Sequence, residues 1–468
     1  MKKISLILLF SILCSSGLFA QSAIVVNGIW EGPKPENAKL FKIVNSNLHE
    51  LASAKIGAEG QFLLASSLEK EGYYTIGMSA TSPRYRYTFY LKPGDQLNVK
   101  IANGTYELFG ENTPENIEMA KWHDFIQPLE NKVNNYTEKG STYVDFFPLL
   151  EEKEGELKTY SEANTANVIF NESFVDYKKF DFMDQAISFL FTPRRAHPQG
   201  EDFPDFYRNI DIEGLTKNSA ILNYPGGLHL LMNCCMTSVN QSGSMTQEEK
   251  SKAFGNPAAI ILGKPLSDRI IEPTIKGELA IMLVRNNKTL AGFEEFEGKY
   301  KDLLVNDDQK KRWEGVRTSL EKNATKTPAI DFKFPDRNGK EISLSDFKGK
   351  VVYVDVWATW CGPCKKEFPL LKKLEEEYHA NKDMVFIGVS VDVDKDKQKW
   401  LNFLDKEQLP GIQLFGGDPS KESLGKPYNI KGIPRFILVG KDGNLILADA
   451  PKPSSPEIKA ILDDALKK

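Results

Sequence analysis

Short runs rich in apolar residues recur between turn signals from the start of the chain to about residue 110. The runs at 23–30, 39–44, 61–65, 73–78, 85–91 and 96–101 are broken by Gly32-Pro33, Glu59-Gly60, Glu71-Gly72 and Lys92-Pro93-Gly94-Asp95. Regular short strands between Gly, Pro and Asp turns predict a β-sandwich over residues 21–110. The period then changes. From 111 to 322 apolar residues fall at helical spacing, as in 146–160 and 247–254. Thr113-Pro114-Glu115 reads as a helix start, with Pro at the first helical position. Breakers at Pro193, Pro198, Pro204, Gly226-Gly227 and Pro273 cut this helical middle region into pieces. Residues 323–335, with Pro328 and Pro335, read as a linker.

The pattern changes once more over 336–468, where strands and helices alternate as in α/β folds. An apolar strand at 350–357 precedes a helix at 365–378, marked by Phe368, Leu371, Leu374 and Tyr378. A strand at 384–391, a helix at 394–407, strands at 435–439 and 445–448 around the turn Lys441-Asp442-Gly443-Asn444, and a closing helix at 456–466 follow. The fold class is therefore multi-domain: an all-β sandwich, a helical middle and a C-terminal α/β domain. With 468 residues the chain is too long for a single core.

The first twenty residues differ from the rest. Lys2 and Lys3 precede an apolar run at 4–13 and a small-residue site at 17–20, the layout of a secretory signal peptide cleaved after Ala20. The run is short for a membrane span of about 20 residues. Anchoring as a lipoprotein through Cys14 is the weaker alternative, because bulky Leu13 precedes it. The chain is thus expected to be exported, to the periplasm in a bacterium with two membranes. The formal net charge of -4 and the ordinary composition, 41% hydrophobic and 26% charged, give no sign of a nucleic-acid partner.

Export sharpens the question of the cysteines, since thiols outside the cytosol tend to be oxidised. Cys361 and Cys364 flank Gly362-Pro363 between an apolar strand and an amphipathic helix. Unpaired N–H groups and the helix dipole stabilise a thiolate at such a helix start, and the thiolate is the nucleophile. Cys364, one turn on, is placed to close a disulfide and to attack a mixed disulfide made by Cys361. A zinc site needs a second Cys or His pair nearby, and His379 is the only histidine beyond the motif. Asp355 interrupts the apolar strand six residues before Cys361. A carboxyl buried there favours its protonated form and can exchange a proton with a thiol, whereas an Asp facing solvent would be inert. Glu367 reads as an exposed helix residue. Trp357 and Trp360 read as shields of the disulfide. Cys234 and Cys235 lie in an apolar run and read as core residues. The five histidines show no metal-ligand spacing.

Trp360-Cys361-Gly362-Pro363-Cys364 matches the thioredoxin motif residue for residue, and Asp355 falls where thioredoxins carry their buried acid. Ile433-Pro434 matches their cis-proline. With 344–350 (Leu-Ser-Asp-Phe-Lys-Gly-Lys), 365–369 (Lys-Lys-Glu-Phe-Pro) and an insertion before the proline, residues 326–468 resemble the exported TlpA/ResA-like branch. Some members carry an acid between the two cysteines, where this chain has Gly362-Pro363. Residues 21–110 resemble the β-rich module of undefined function often fused to such domains. The resemblance implies a thiol–disulfide oxidoreductase with Cys361, Cys364 and Asp355 catalytic. Trp360, Gly362, Pro363, Ile433 and Pro434 would meet the substrate. It implies no metal, flavin or nucleotide cofactor, exported protein disulfides as partners, and a membrane thiol donor as the electron source. Two other readings stay open: a thiol peroxidase of related fold, and a client-binding scaffold with an accessory redox domain.

Overall fold

The computed structural model describes residues 23–467, apart from 33–34, 81–85, 103, 135–139, 242–245, 247–255, 265, 288–289, 322–326, 418–423, 426, 429 and 431. The expected signal peptide at 1–20 with Cys14, the helix at 247–254, the first part of the linker and much of the insertion before Pro434 lie outside the described residues.

The chain forms two compact units, one of residues 1–282 with 303–305, the other of 283–302 with 306–468. The first unit contains two four-stranded sheets. One has the order β4-β1-β7-β8, built from Gln61–Ser67, Ala23–Trp30, Gln96–Ala102 and Thr105–Leu108. The other has the order β3-β2-β5-β6, from Asn47–Lys55, Asn37–Val44, Gly72–Gly77 and Arg86–Leu91. Strict alternation along β1 turns Ile24, Val26 and Trp30 inward, where they share one core with Leu40, Ile76 and Phe89 of the facing sheet. Gly28, at an inward position, leaves room for Phe62, its cross-strand partner; a Cβ there would sit 1.9 Å from the ring.

Two strands escape the hydrophobic pattern. β3 is largely exposed, so it shows no buried alternation. Its hairpin with β2 turns through Asn45 and Ser46, both at positive φ (47° and 68°). β8 has only four residues.

Helix α1 (Pro114–Asn134) packs on β6 and β8, and α3 (Val168–Phe191) packs on α1. The buried Asn116 accepts from the Tyr90 N–H at 3.0 Å and donates to its carbonyl at 2.8 Å, which ties the start of α1 to the end of β6. Helix α2 (Tyr143–Leu157) adds Phe146, stacked on Phe189 of α3 at 3.8 Å. Helix α4 (Gly227–Gln241) carries the buried Cys234 and Cys235 and packs on α3. Its start is held by the sandwich. The Ser46 hydroxyl accepts from the Leu228 N–H at 2.9 Å, and the Ser46 carbonyl accepts from the Gly226 N–H at 2.9 Å. The sandwich and the helices up to residue 282 fall within one compact unit.

The second unit is an α/β domain preceded by helices at Leu290–Tyr300 and Asp307–Glu321. Its five-stranded sheet has the order β13-β12-β11-β14-β15, from Ile412–Phe415, Met384–Ser390, Val351–Trp357, Arg435–Val439 and Leu445–Leu447. The first three strands are parallel, β14 runs against them, and β15 runs against β14. Every residue of β11 is buried, as a central strand covered on both faces requires. Val352, Val354 and Val356 meet Trp400 and Leu404 of α6 (Lys397–Glu407) on one face. Val351 and Tyr353 meet Leu371 and Leu374 of α5 (Gly362–Tyr378) and Leu462 of α7 (Ile458–Lys467) on the other.

Residues 327–335 of the expected linker run as extended chain along the α/β domain. The Leu445 N–H donates to the Thr327 carbonyl at 2.7 Å, and the Tyr428 hydroxyl donates to the Ile330 carbonyl at 2.7 Å. A small hairpin, β9 (Lys333–Pro335) with β10 (Glu341–Ser343), follows. Both prolines of this stretch sit in extended backbone, where they are tolerated. No helix among the described residues is long and apolar enough to cross a membrane.

Candidate active site

The site lies at the end of β11. After Trp357 the chain leaves the sheet, turns through Ala358, Thr359 and Trp360, and enters α5 with Cys361 as its N-cap. A cysteine in this place offers sulfur where Ser or Asp usually offers oxygen, and the backbone responds accordingly. The Cys364 N–H donates to Cys361 Sγ at 3.1 Å. Pro363 sits in the first turn, where no N–H is needed. Cys361 and Cys364 are joined in a disulfide with Cα atoms 5.3 Å apart, and both are buried. These are the two cysteines that the motif singles out, bonded to each other.

The turn before Cys361 is held by a residue that sequence reasoning missed. Asp392, fully buried just past β12, accepts from the Thr359 N–H at 2.9 Å, the Thr359 hydroxyl at 2.7 Å and the Ser390 hydroxyl at 2.7 Å. Its only sequence signal is an acid after an apolar strand. The Ser390 donor is local, and the two Thr359 donors meet it only once β11 and β12 pair side by side.

Asp355 is buried at 4% exposure, and its Oδ1 has no hydrogen-bond partner. Burial first, and the charge of Glu367 second, push its carboxyl up from 3.8 to about 8. The solvent-facing alternative is thereby removed. Glu367 differs from expectation. It is buried on the inner side of α5, where its carboxylate accepts from the Ser454 N–H at 2.9 Å and hydroxyl at 3.0 Å, with Lys452 Nζ at 3.4 Å. Ser454 lies 87 residues further on, so helical spacing alone gave no warning.

The bond between Ile433 and Pro434 is cis, as the motif predicts. Arg435 pairs with Val356 in the antiparallel register of β14 on β11, so Pro434 falls level with Trp357 at the sheet edge where the cysteine turn begins. The two tryptophans part ways. Trp357 is buried against Phe368 and Phe403, whereas Trp360 is 61% exposed beside the disulfide. Trp360 therefore presents an apolar face to solvent. Cys234 and Cys235 are not brought to this site; they lie buried in the other unit. Among the described residues no cluster of three or more His, Cys, Asp or Glu is arranged to hold a metal.

The Redoxin family profile matches residues 322–464. A thiol-disulfide oxidoreductase ResA from Bacillus thuringiensis is 33% identical over 136 residues, which cover 29% of this chain and 74% of that protein. The ResA of Bacillus subtilis is 33% identical over 118 residues, 25% of this chain and 63% of that one. Among solved structures, the thioredoxin domain of a Bacteroides vulgatus thiol-disulfide oxidoreductase is 29% identical, covering 30% of this chain and 96% of that one, with a TM-score of 0.27.

Proposed function

The chain belongs to the ResA-type thiol–disulfide oxidoreductases through its C-terminal domain, and from that premise we propose that it reduces disulfides of exported proteins with Cys361 as nucleophile. The observation that carries this reading is the Cys361–Cys364 disulfide at the N-terminus of α5, with Cys361 Sγ accepting the Cys364 N–H. That same N–H, together with the helix dipole, stabilises the Cys361 thiolate once the disulfide is opened.

Starting from the dithiol, the Cys361 thiolate attacks one sulfur of a substrate disulfide and displaces the other as a thiolate. The Cys364 thiol then loses its proton and attacks Cys361 Sγ. This breaks the mixed disulfide, releases the second substrate thiolate and leaves the intramolecular disulfide. Two electrons pass from the protein to the substrate. Asp355, its carboxyl raised by burial to about 8 and so near a thiol's range, takes the Cys364 proton in its ionised form. Asp392 holds the turn that places Cys361. Trp360 and the backbone at Ile433 and Pro434 hold the substrate chain across the disulfide, with Gly362 and Pro363 forming the floor of the contact. A thiol donor must return the dithiol, and for an exported protein a membrane dithiol fits that need. Residues 1–20 carry the export signal in this reading, with the periplasm as the destination.

Equilibration of the Cys361–Cys364 pair with dithiothreitol and glutathione buffers tests the direction. A reductant is expected near the thioredoxin potential of about -270 mV. A value near about -120 mV, typical of the strongest dithiol oxidants, would mean that the protein inserts disulfides instead.

A further inference from the structure

The N-terminal unit contains a cavity that thiol chemistry does not use. It measures about 320 Å³ and is walled by β6 and β8 of the sandwich and by α1 and α3. That is the small end of the range for ligand pockets, roughly 300–1,000 Å³. Its wall is rich in charge. Two acids of α3 are partly satisfied by the protein itself. Asp181 accepts from Trp122 Nε1 at 2.7 Å and the Tyr224 hydroxyl at 2.9 Å, and Asp184 accepts from the Ser188 hydroxyl at 3.0 Å.

Three other groups on the wall have no partner among the described residues. The Arg86 guanidinium, on β6, makes no hydrogen bond or ion pair with any described residue, and neither does the Glu130 carboxylate on α1. The Tyr106 hydroxyl on β8 is buried, at 4% exposure for the residue, and also has no partner. Burial pushes Glu130 up to about 8 and Asp184 up to about 6, the behaviour of carboxylates that lack a cation at contact distance. A folded protein rarely keeps a guanidinium, a carboxyl and a hydroxyl all unanswered around one cavity unless something else completes them.

We infer that this cavity binds a small zwitterion, a free α-amino acid or a very short peptide, with its carboxylate on Arg86 and its ammonium on Glu130 and Asp184. The guanidinium fork matches a carboxylate with two parallel hydrogen bonds. A simple amine would leave Arg86 unanswered, and a simple carboxylate would leave Glu130 unanswered. Tyr106 supplies one further hydrogen bond, to the ligand carboxylate or to a polar side chain. This inference is independent of the redox reading, since every residue it uses lies in the first unit.

Isothermal titration of the full chain with L-alanine, L-glutamate, L-lysine and dialanine, against ethylamine, propionate and glucose, tests it. At least one zwitterion is expected to bind with a Kd below about 1 mM, and ethylamine and propionate at least about tenfold more weakly. Arg86→Gln and Glu130→Gln are each expected to weaken the zwitterion at least about tenfold, with Arg86→Lys recovering part of the loss. Absence of binding by all four zwitterions overturns the proposal. So does ethylamine binding as tightly as they do, which would mark a plain cation site, and so does binding of glucose alone. The ligand panel on the unaltered chain decides the matter even if a variant fails to fold.

Discussion

The molecule holds two pairs of cysteines in two helices, and they have opposite chemistry. Cys361 caps the start of α5, where backbone N–H groups have no partners within the helix and one of them already points at its sulfur. Cys234 and Cys235 sit in the interior of α4, where neighbouring N–H groups belong to the helix ladder. Burial is the largest influence on them. It raises both thiols, Cys235 to about 12, so that neither forms a thiolate at neutral pH. Reactivity follows from where along a helix a cysteine is placed, and both pairs are buried side chains.

The largest expected effect breaks this contrast directly. Cys361→Ala is expected to lower insulin-disulfide reduction by about a thousandfold or more, while Cys234→Ala and Cys235→Ala change it by less than about twofold. A large loss from either α4 variant, at unchanged melting temperature, would show that the second pair takes part. Next is the turn that puts Cys361 at the helix start. Asp392→Ala strands the Thr359 N–H and two hydroxyls in a buried site, and should destabilise the domain by about 3 kcal/mol in urea titration. A loss under about 0.5 kcal/mol would show that the turn holds itself.

Asp355 sharpens the comparison through pH. Its folded pKa of about 8 lies above its ordinary 3.8, so the folded protein binds the extra proton between these values. Stability from this group is full below about pH 4 and declines as pH rises towards 8, by up to about 1.4 kcal/mol per unit. Asp355→Asn should remove that decline, leaving the variant the more stable of the two at pH 8 in urea titration. It should also reduce disulfide exchange at that pH about tenfold in stopped-flow measurement. Equal pH slopes in both proteins would mean that Asp355 is ionised throughout. The smallest effect belongs to Glu367. Removing its charge in Glu367→Gln takes away the secondary cause of the Asp355 shift, so the pH–rate profile should move down by about half a unit to one unit. An unmoved profile would leave burial as the sole cause.

Much of the redox site is legible in sequence because its logic is local. Strand, turn, cap and helix follow one another within twenty-eight residues, from Val351 to Tyr378. Asp355 stands out as the one acid in an apolar strand, and the cis bond announces itself by a Pro just ahead of a strand. What escapes is whatever depends on distant partners. Glu367 is read as exposed because its spacing on α5 is ambiguous until Ser454 and Lys452 arrive over it. Asp392 needs β11 beside β12 before its role shows. The strands β3, β8, β9, β10 and β13 are too exposed or too short to print a period, and residues 327–335 of the expected linker are extended chain stitched to β15 and to Tyr428. Arg86 and Glu130 carried no signal at all, since an isolated charge in a strand or helix normally reads as a solvated one.

Ser46 has a consequence for anyone who would cut this protein into parts. The turn that carries it belongs to the sandwich, yet its hydroxyl and carbonyl close the entry to a helix 182 residues away in the chain. Cleavage at residue 110, where the strand pattern gives way to the helical one, would separate a capping group from the helix it caps. Both fragments would then expose backbone that only the other can satisfy. The fragment boundaries that preserve a self-sufficient N-terminal piece lie beyond α4, and a nick within the β2–β3 turn should loosen α4 before it loosens the sheet.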